Sequence, residues 1–112
     1  MEVRSQSSPF GSPTRTRVLV ALRLLGESFP RELARLLGVP LSVVQKAVRT
    51  LELDGLVASR SVGRTRLVQL EPRYFARESL DQFLLRLSEP DTELRKRVAA
   101  LRRRPRRTGK PL

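Results

Sequence analysis

Two short stretches of helical apolar spacing, separated by only three residues, most constrain how this chain can fold. The first extends from Pro30 to Leu37 and the second from Leu41 to Leu53, with apolar residues three or four positions apart in both. Gly38, Val39 and Pro40 stand between them, and a glycine directly after a helical pattern is typical of a helix end. Because the linker is so short, the pattern predicts two helices that pack against each other at a tight turn.

A further helix is predicted upstream, over residues 13–25. Ser12 is a favourable N-cap, Pro13 suits the first helical position, and Gly26 ends the pattern. Residues 27–29 form a short connector with room for one or two paired residues. The three predicted helices have apolar faces made mainly of Leu and Val, which indicates one common core.

The rest of the chain predicts a β-hairpin followed by helices. Two β-type runs, residues 56–61 and 66–70, flank a glycine-containing loop over 62–65. Helical spacing returns over 73–87 and again over 91–103. The predicted fold class is therefore mainly α with a small β-hairpin, with three core helices before the hairpin and C-terminal helices after it.

Charge and composition exclude several classes of function. The net charge is +12, but residues 95–112 contain nine of the 23 basic residues and none of the 11 acids, so residues 1–94 carry only +3. A field of this sign favours polyanionic partners. Cysteine and histidine are absent, which removes disulfides, the usual general base and the usual transition-metal ligands. We therefore expect no enzymatic activity, no metal and no cofactor.

Neither the acidic residues nor the hydropathy of the chain indicates a catalytic or membrane function. Glu32, Glu52 and Asp54 are interpreted as charges on helix surfaces and helix ends rather than as a paired acid and base. No run of about 18 apolar residues is present to span a bilayer, and the polar start does not resemble a signal peptide. We therefore expect a cytoplasmic protein without membrane contact.

A set of charged, apolar and glycine positions around the tight turn forms a specific pattern. Its members are Arg31, Glu32, Leu33, Ala34, Leu37, Gly38, Val39, Val44, Val48, Leu51, Asp54, Gly55, Leu56 and Val57. This pattern resembles the winged helix-turn-helix of bacterial transcriptional regulators of the ArsR and MarR type, over about residues 12–70. The resemblance implies a three-helix core, a hairpin wing and binding to double-stranded DNA.

The chain departs from the family pattern in two ways. Pro40 and Leu41 stand where the family places a Ser or Asp cap, so the first turn of the third helix is not fixed by the sequence. The Cys and His residues of metal-sensing relatives have no counterpart in this chain, which argues against an ArsR-like metal sensor.

The face of the third helix that points away from the core is the predicted DNA-reading surface. Gln45 is suited to adenine, and Lys46 or Arg49 to guanine or phosphate. Hairpin arginines would reach the minor groove or a phosphate, and the start of the second helix would face a phosphate. An ordinary solvated helix face and a solubilised hairpin are the alternatives. The predicted DNA-contacting residues are Arg31, Ser42, Val43, Gln45, Lys46, Arg49, Arg60, Arg64, Thr65 and Arg66.

The sequence also predicts how the chain is organised. A flexible arm over 1–11 precedes a winged helix-turn-helix domain over 12–72, C-terminal helices over 73–103 and a basic tail over 104–112. The tail would strengthen binding to any polyanion without reading sequence, or would merely solubilise the chain.

The last predicted helix has an apolar stripe wide enough to pack against one other helix. Leu94, Val98 and Leu101 form this stripe, which either packs on its own domain or faces a partner. The family resemblance implies a homodimer built from residues 73–103 and the first helix.

Two functions stay open: a sequence-specific DNA-binding regulator, repressor-like and dimeric, and a winged-helix module for protein interaction or nonspecific nucleic-acid binding.

Overall fold

A computed structural model of the protein describes residues 8–103 and confirms the predicted fold class. The predicted tail and residues 1–7 of the predicted arm lie outside the described residues. Among residues 8–103, no helix is long and apolar enough to cross a membrane. The elements, in chain order, are α1 (Pro13–Leu25), β1 (Glu27–Ser28), α2 (Pro30–Leu37), α3 (Leu41–Leu53), β2 (Val57–Val62), β3 (Thr65–Leu70), α4 (Arg77–Ser88) and α5 (Thr92–Arg103).

Helix α1 lies at the centre of the core. The Ser12 hydroxyl accepts a hydrogen bond from the backbone N–H of Arg15 at 3.1 Å, as expected of an N-cap. Along the helix, Leu19 and Leu22 are fully buried, and α1 contacts all four other helices and the inner strand of the sheet. Because the chain's own elements cover α1, this helix leaves little surface for a partner.

The tight turn between α2 and α3 has the expected structure. Gly38 adopts a left-handed conformation at φ +68°, which a glycine enters without steric cost. The N–H groups of Gly38 and Val39 both donate to the carbonyl of Ala34, at 2.9 and 3.1 Å, and so close the end of α2. Helix α3 then begins directly after Pro40, without a side-chain cap.

Strand β3 is the middle strand of a three-stranded antiparallel sheet in the order β1-β3-β2. Val62 pairs with Thr65, so the hairpin loop contains only Gly63 and Arg64 and is shorter than the four residues predicted from the sequence. The left-handed conformation of Gly63, at φ +62°, is typical of a two-residue hairpin turn.

The C-terminal helices pack back onto the domain. Helix α4 begins later than predicted, because the Glu71 carboxylate accepts the N–H of Arg73 at 2.9 Å and favours a local turn over a helix start. In α5, Leu94 and Val98 are buried in the core. The apolar stripe that the sequence left open to a partner is therefore used within the chain, with Leu101 partly buried beside it.

Candidate nucleic-acid interface

A groove of about 760 Å³ lies between the start of α2, the outer face of α3 and the hairpin. Its apolar floor includes Val48 from α3 and Val68 from β3. Basic side chains from all three elements surround this floor. The groove is lined by Phe29, Pro30, Arg31, Leu41, Gln45, Val48, Arg49, Glu52, Arg64, Thr65, Arg66 and Val68.

The ten predicted DNA-contacting residues are all exposed, and six of them line this groove. The six come from segments far apart in sequence and meet only through the fold. The other four are Ser42, Val43 and Lys46, which are exposed elsewhere on α3, and Arg60, which lies on the hairpin. The residues that line the groove are Arg31, Gln45, Arg49, Arg64, Thr65 and Arg66.

The packing of α3 decides which of its side chains face outward. Val44, Val48 and Leu51 recur at helical spacing and are buried against the rest of the domain. This packing leaves Gln45 and Arg49 exposed on the opposite side. Arg49 takes part in none of the ion pairs among residues 8–103, so its guanidinium is available to an anionic ligand.

The two faces of the hairpin place its arginines differently. Neighbouring residues of a strand point to opposite faces of the sheet. Arg66 pairs with Ser61 and lies on the face toward α3, where its guanidinium is 3.7 Å from the Glu52 carboxylate. Arg60 lies on the opposite face, 3.5 Å from the carboxylate of Glu27. The fold therefore does not bring Arg60 into the groove, and its contact with DNA stays a prediction.

Sequence reasoning missed the part that Glu52 plays in the groove. The Ser59 hydroxyl donates to Glu52 at 2.6 Å, and Arg66 donates to the same hydroxyl at 2.6 Å. Helical spacing alone places Glu52 on the face of Val48, four residues earlier. Its partners Ser59 and Arg66 required the strand register, which the sequence did not predict to the residue.

Comparison with known proteins identifies the fold. No family model and no curated protein sequence matches the chain. The adhesin competence repressor AdcR of Streptococcus pyogenes has a similar structure, with a TM-score of 0.60 and 14% identity over 91% of this chain and 73% of that one. A mutant MarR from E. coli matches with a TM-score of 0.61 and 20% identity, over 88% of this chain and 71% of that one.

A mutant MarR from E. coli complexed with operator DNA is also similar. Its TM-score is 0.59, and the two chains are 23% identical over 89% of this chain and 77% of that one. Of these structural neighbours, AdcR is named a repressor and one MarR is bound to operator DNA. The MarR-type part of the predicted resemblance is thereby confirmed at the level of fold, whereas the ArsR-type part stays a prediction. The chain has the winged-helix fold of MarR-type transcriptional regulators.

Proposed function

We propose that the chain is a sequence-specific double-stranded DNA-binding protein of the cytoplasm that regulates transcription as a repressor-like homodimer. The observation that carries the proposal is the convergence of the outer face of α3, the start of α2 and the hairpin on one basic groove. A recognition helix beside a basic wing is the arrangement with which winged-helix proteins hold a duplex.

Each side of the groove has a distinct part in this proposal. The outer face of α3 enters the major groove, where Gln45 and Arg49 reach base edges. The hairpin projects Arg64, at its two-residue turn, toward a phosphate or the minor groove. Arg31, at the start of α2, lies where the helix N-terminus and its own charge both attract a phosphate.

The sequence predicts a homodimer through residues 73–103 and the first helix; because α1 is largely covered by the chain's own elements, we place the contact in residues 73–103. Helix α1 and the stripe of α5 are already buried within the chain, so the contact has to use other side chains of this region. Phe75, Phe83 and Leu85 are exposed apolar residues there. Two copies related by a twofold axis would place two α3 helices on successive half-sites of a palindrome.

Selection from a random-sequence duplex pool by the purified protein tests the proposal. We expect a palindromic consensus, since a twofold dimer reads each half-site once. Arg49→Ala should weaken binding to that consensus about tenfold, because one base contact is worth about 1–3 kcal/mol. Arg64→Ala should weaken binding to all sequences alike and lower the slope of log affinity against log salt by about 1.

Arg60→Ala is the matched control, because it removes the same charge from the other face of the same hairpin. We expect a smaller loss of affinity for Arg60→Ala than for Arg64→Ala. Equal binding of unchanged chain, Arg49→Ala and Arg64→Ala to the consensus would reject the groove as the DNA surface. A pool that yields no consensus, with equal binding to any polyanion, would favour a nonspecific module.

A further inference from the structure

The groove contains an acid at a place where a DNA-binding surface gains nothing from one. Among the described residues that line it, four are arginines and only Glu52 is acidic. Of these arginines, only Arg66 takes part in an ion pair among residues 8–103, and its partner is Glu52. The acid is therefore positioned against one particular cation of the groove.

The contacts around Glu52 hold Arg66 close to the turn of the hairpin, where it pairs with Ser61. The guanidinium donates to the Ser59 hydroxyl at 2.6 Å and lies 3.7 Å from the carboxylate, which accepts from the same hydroxyl at 2.6 Å. The side chains of Glu52 and Arg66 are 33% and 60% exposed, so a phosphate can approach the pair. A solvent-exposed pair of this kind is weak enough to exchange partners.

We propose that Glu52 limits the sequence-independent affinity of this groove for DNA by competing with phosphates for Arg66. This inference rests on the proposed function, since it concerns the same groove. Nonspecific binding to DNA comes almost wholly from contacts between cations and phosphates, and each such contact steepens the salt dependence. An arginine engaged by a carboxylate makes no such contact, so Glu52 reduces binding to the many nonspecific sites that compete with a target.

Glu52→Gln tests the proposal, measured by fluorescence anisotropy on a labelled 20-base-pair duplex of arbitrary sequence at several salt concentrations. The amide keeps the size of the side chain and an acceptor for Ser59 while it removes the charge. We expect affinity about three to five times higher than that of the unchanged chain, because an exposed pair is worth up to about 1 kcal/mol. The slope of log affinity against log salt should steepen by about 0.9, the value for one more phosphate contact.

Glu27→Gln is the matched control, since it removes one carboxylate from an arginine pair on the other face of the sheet. It changes the net charge equally but leaves Arg66 engaged. In the unchanged background, Arg66→Ala should weaken binding less than Arg64→Ala does. The gain from Glu52→Gln should vanish when Arg66→Ala is added.

Two results would overturn the inference. One is a Glu52→Gln variant that binds no more tightly than Glu27→Gln, and the other is a gain that persists in the Arg66→Ala background. Both leave the proposed function intact when the unchanged chain binds the duplex. An unchanged chain that binds no duplex at all would instead reject the proposed function, and this inference with it.

Discussion

At the scale of single residues, Arg15 joins three parts of the chain. Its guanidinium donates to the carbonyl of Phe10 at 2.6 Å, to the hydroxyl of Thr50 at 2.7 Å and to the carboxylate of Asp54 at 2.6 Å. Phe10, which the sequence assigned to the flexible arm, also packs on Phe83 with ring centroids 6.0 Å apart. One side chain thus connects the beginning of the described chain to the end of α3.

Replacing Arg15 with Ala should lower the free energy of unfolding by about 1–2 kcal/mol, because a partly buried charge-assisted network is lost. Urea denaturation followed by far-UV circular dichroism measures this change. Arg64→Ala removes an equally basic but exposed side chain and should change stability by less than about 0.5 kcal/mol. Equal stabilities of the two variants would contradict this role of Arg15.

The contacts of Arg15 also show where sequence reasoning ends. The cap formed by Ser12 and Pro13 was predicted, because its partners are within three residues. Thr50 and Asp54 are 35 and 39 residues from Arg15, and no local pattern pairs side chains over such a distance. The same limit applies to Glu52 and Arg66, whose contact depends on how the hairpin is registered and how it packs on α3.

At the scale of elements, helix bounds were more predictable than turns and pairings. The bounds of α1 and α3 agree with the prediction, because apolar spacing, proline starts and the turn residues after each helix are all local signals. The start of α4 was wrong by four residues, because a side-chain hydrogen bond of Glu71 competes with the helix there. The predicted hairpin loop was too long, because the strands pair beyond the apolar run, up to Val62 and Thr65.

Helix α5 carries the sharpest prediction at this scale. Leu94→Ala should lower the free energy of unfolding by about 2–4 kcal/mol, because it leaves a cavity in a closed part of the core. Urea titrations at several protein concentrations measure this loss in the free energy of unfolding. We expect the same loss at every concentration, since the side chain packs within one chain.

Lys96→Ala, on the exposed side of α5, is the control and should change stability by less than about 0.5 kcal/mol. A loss for Leu94→Ala that grows on dilution would instead place this apolar stripe between two copies of the chain. A loss as small as that of Lys96→Ala would contradict its burial.

At the scale of the whole molecule, the predicted site residues form a groove only after folding. Helical spacing identified the outer face of α3, and the glycine-containing loop identified the hairpin. The sequence did not indicate that Arg60 lies on the other face, because one residue of register decides the face. The contact of the proposed homodimer likewise depends on the folded surface and not on local sequence patterns.

Phe75 is suited to test the proposed homodimer, because its side chain is 92% exposed and lies within residues 73–103. Phe75→Ser should leave the far-UV circular dichroism spectrum unchanged and weaken self-association about tenfold, as expected when an aromatic anchor is lost from an interface. Sedimentation velocity over a range of concentrations measures the mass.

Leu53→Ser is the control, since Leu53 is 82% exposed but lies at the end of α3, outside this region. Its self-association should equal that of the unchanged chain. A monomeric unchanged chain, or equal association of Phe75→Ser, would contradict the proposed interface.

The short strand β1 has a consequence for how such a protein would select DNA. It pairs with β3 and is followed, after one residue, by α2, so this pairing holds the start of α2 beside the hairpin. The spacing between the start of α2 and the hairpin is therefore fixed by the fold before any duplex binds. On the proposed function, the duplexes that bind best are those whose groove widths already match this spacing or whose base steps deform at a low energetic cost. Positions that no side chain touches would then contribute to specificity.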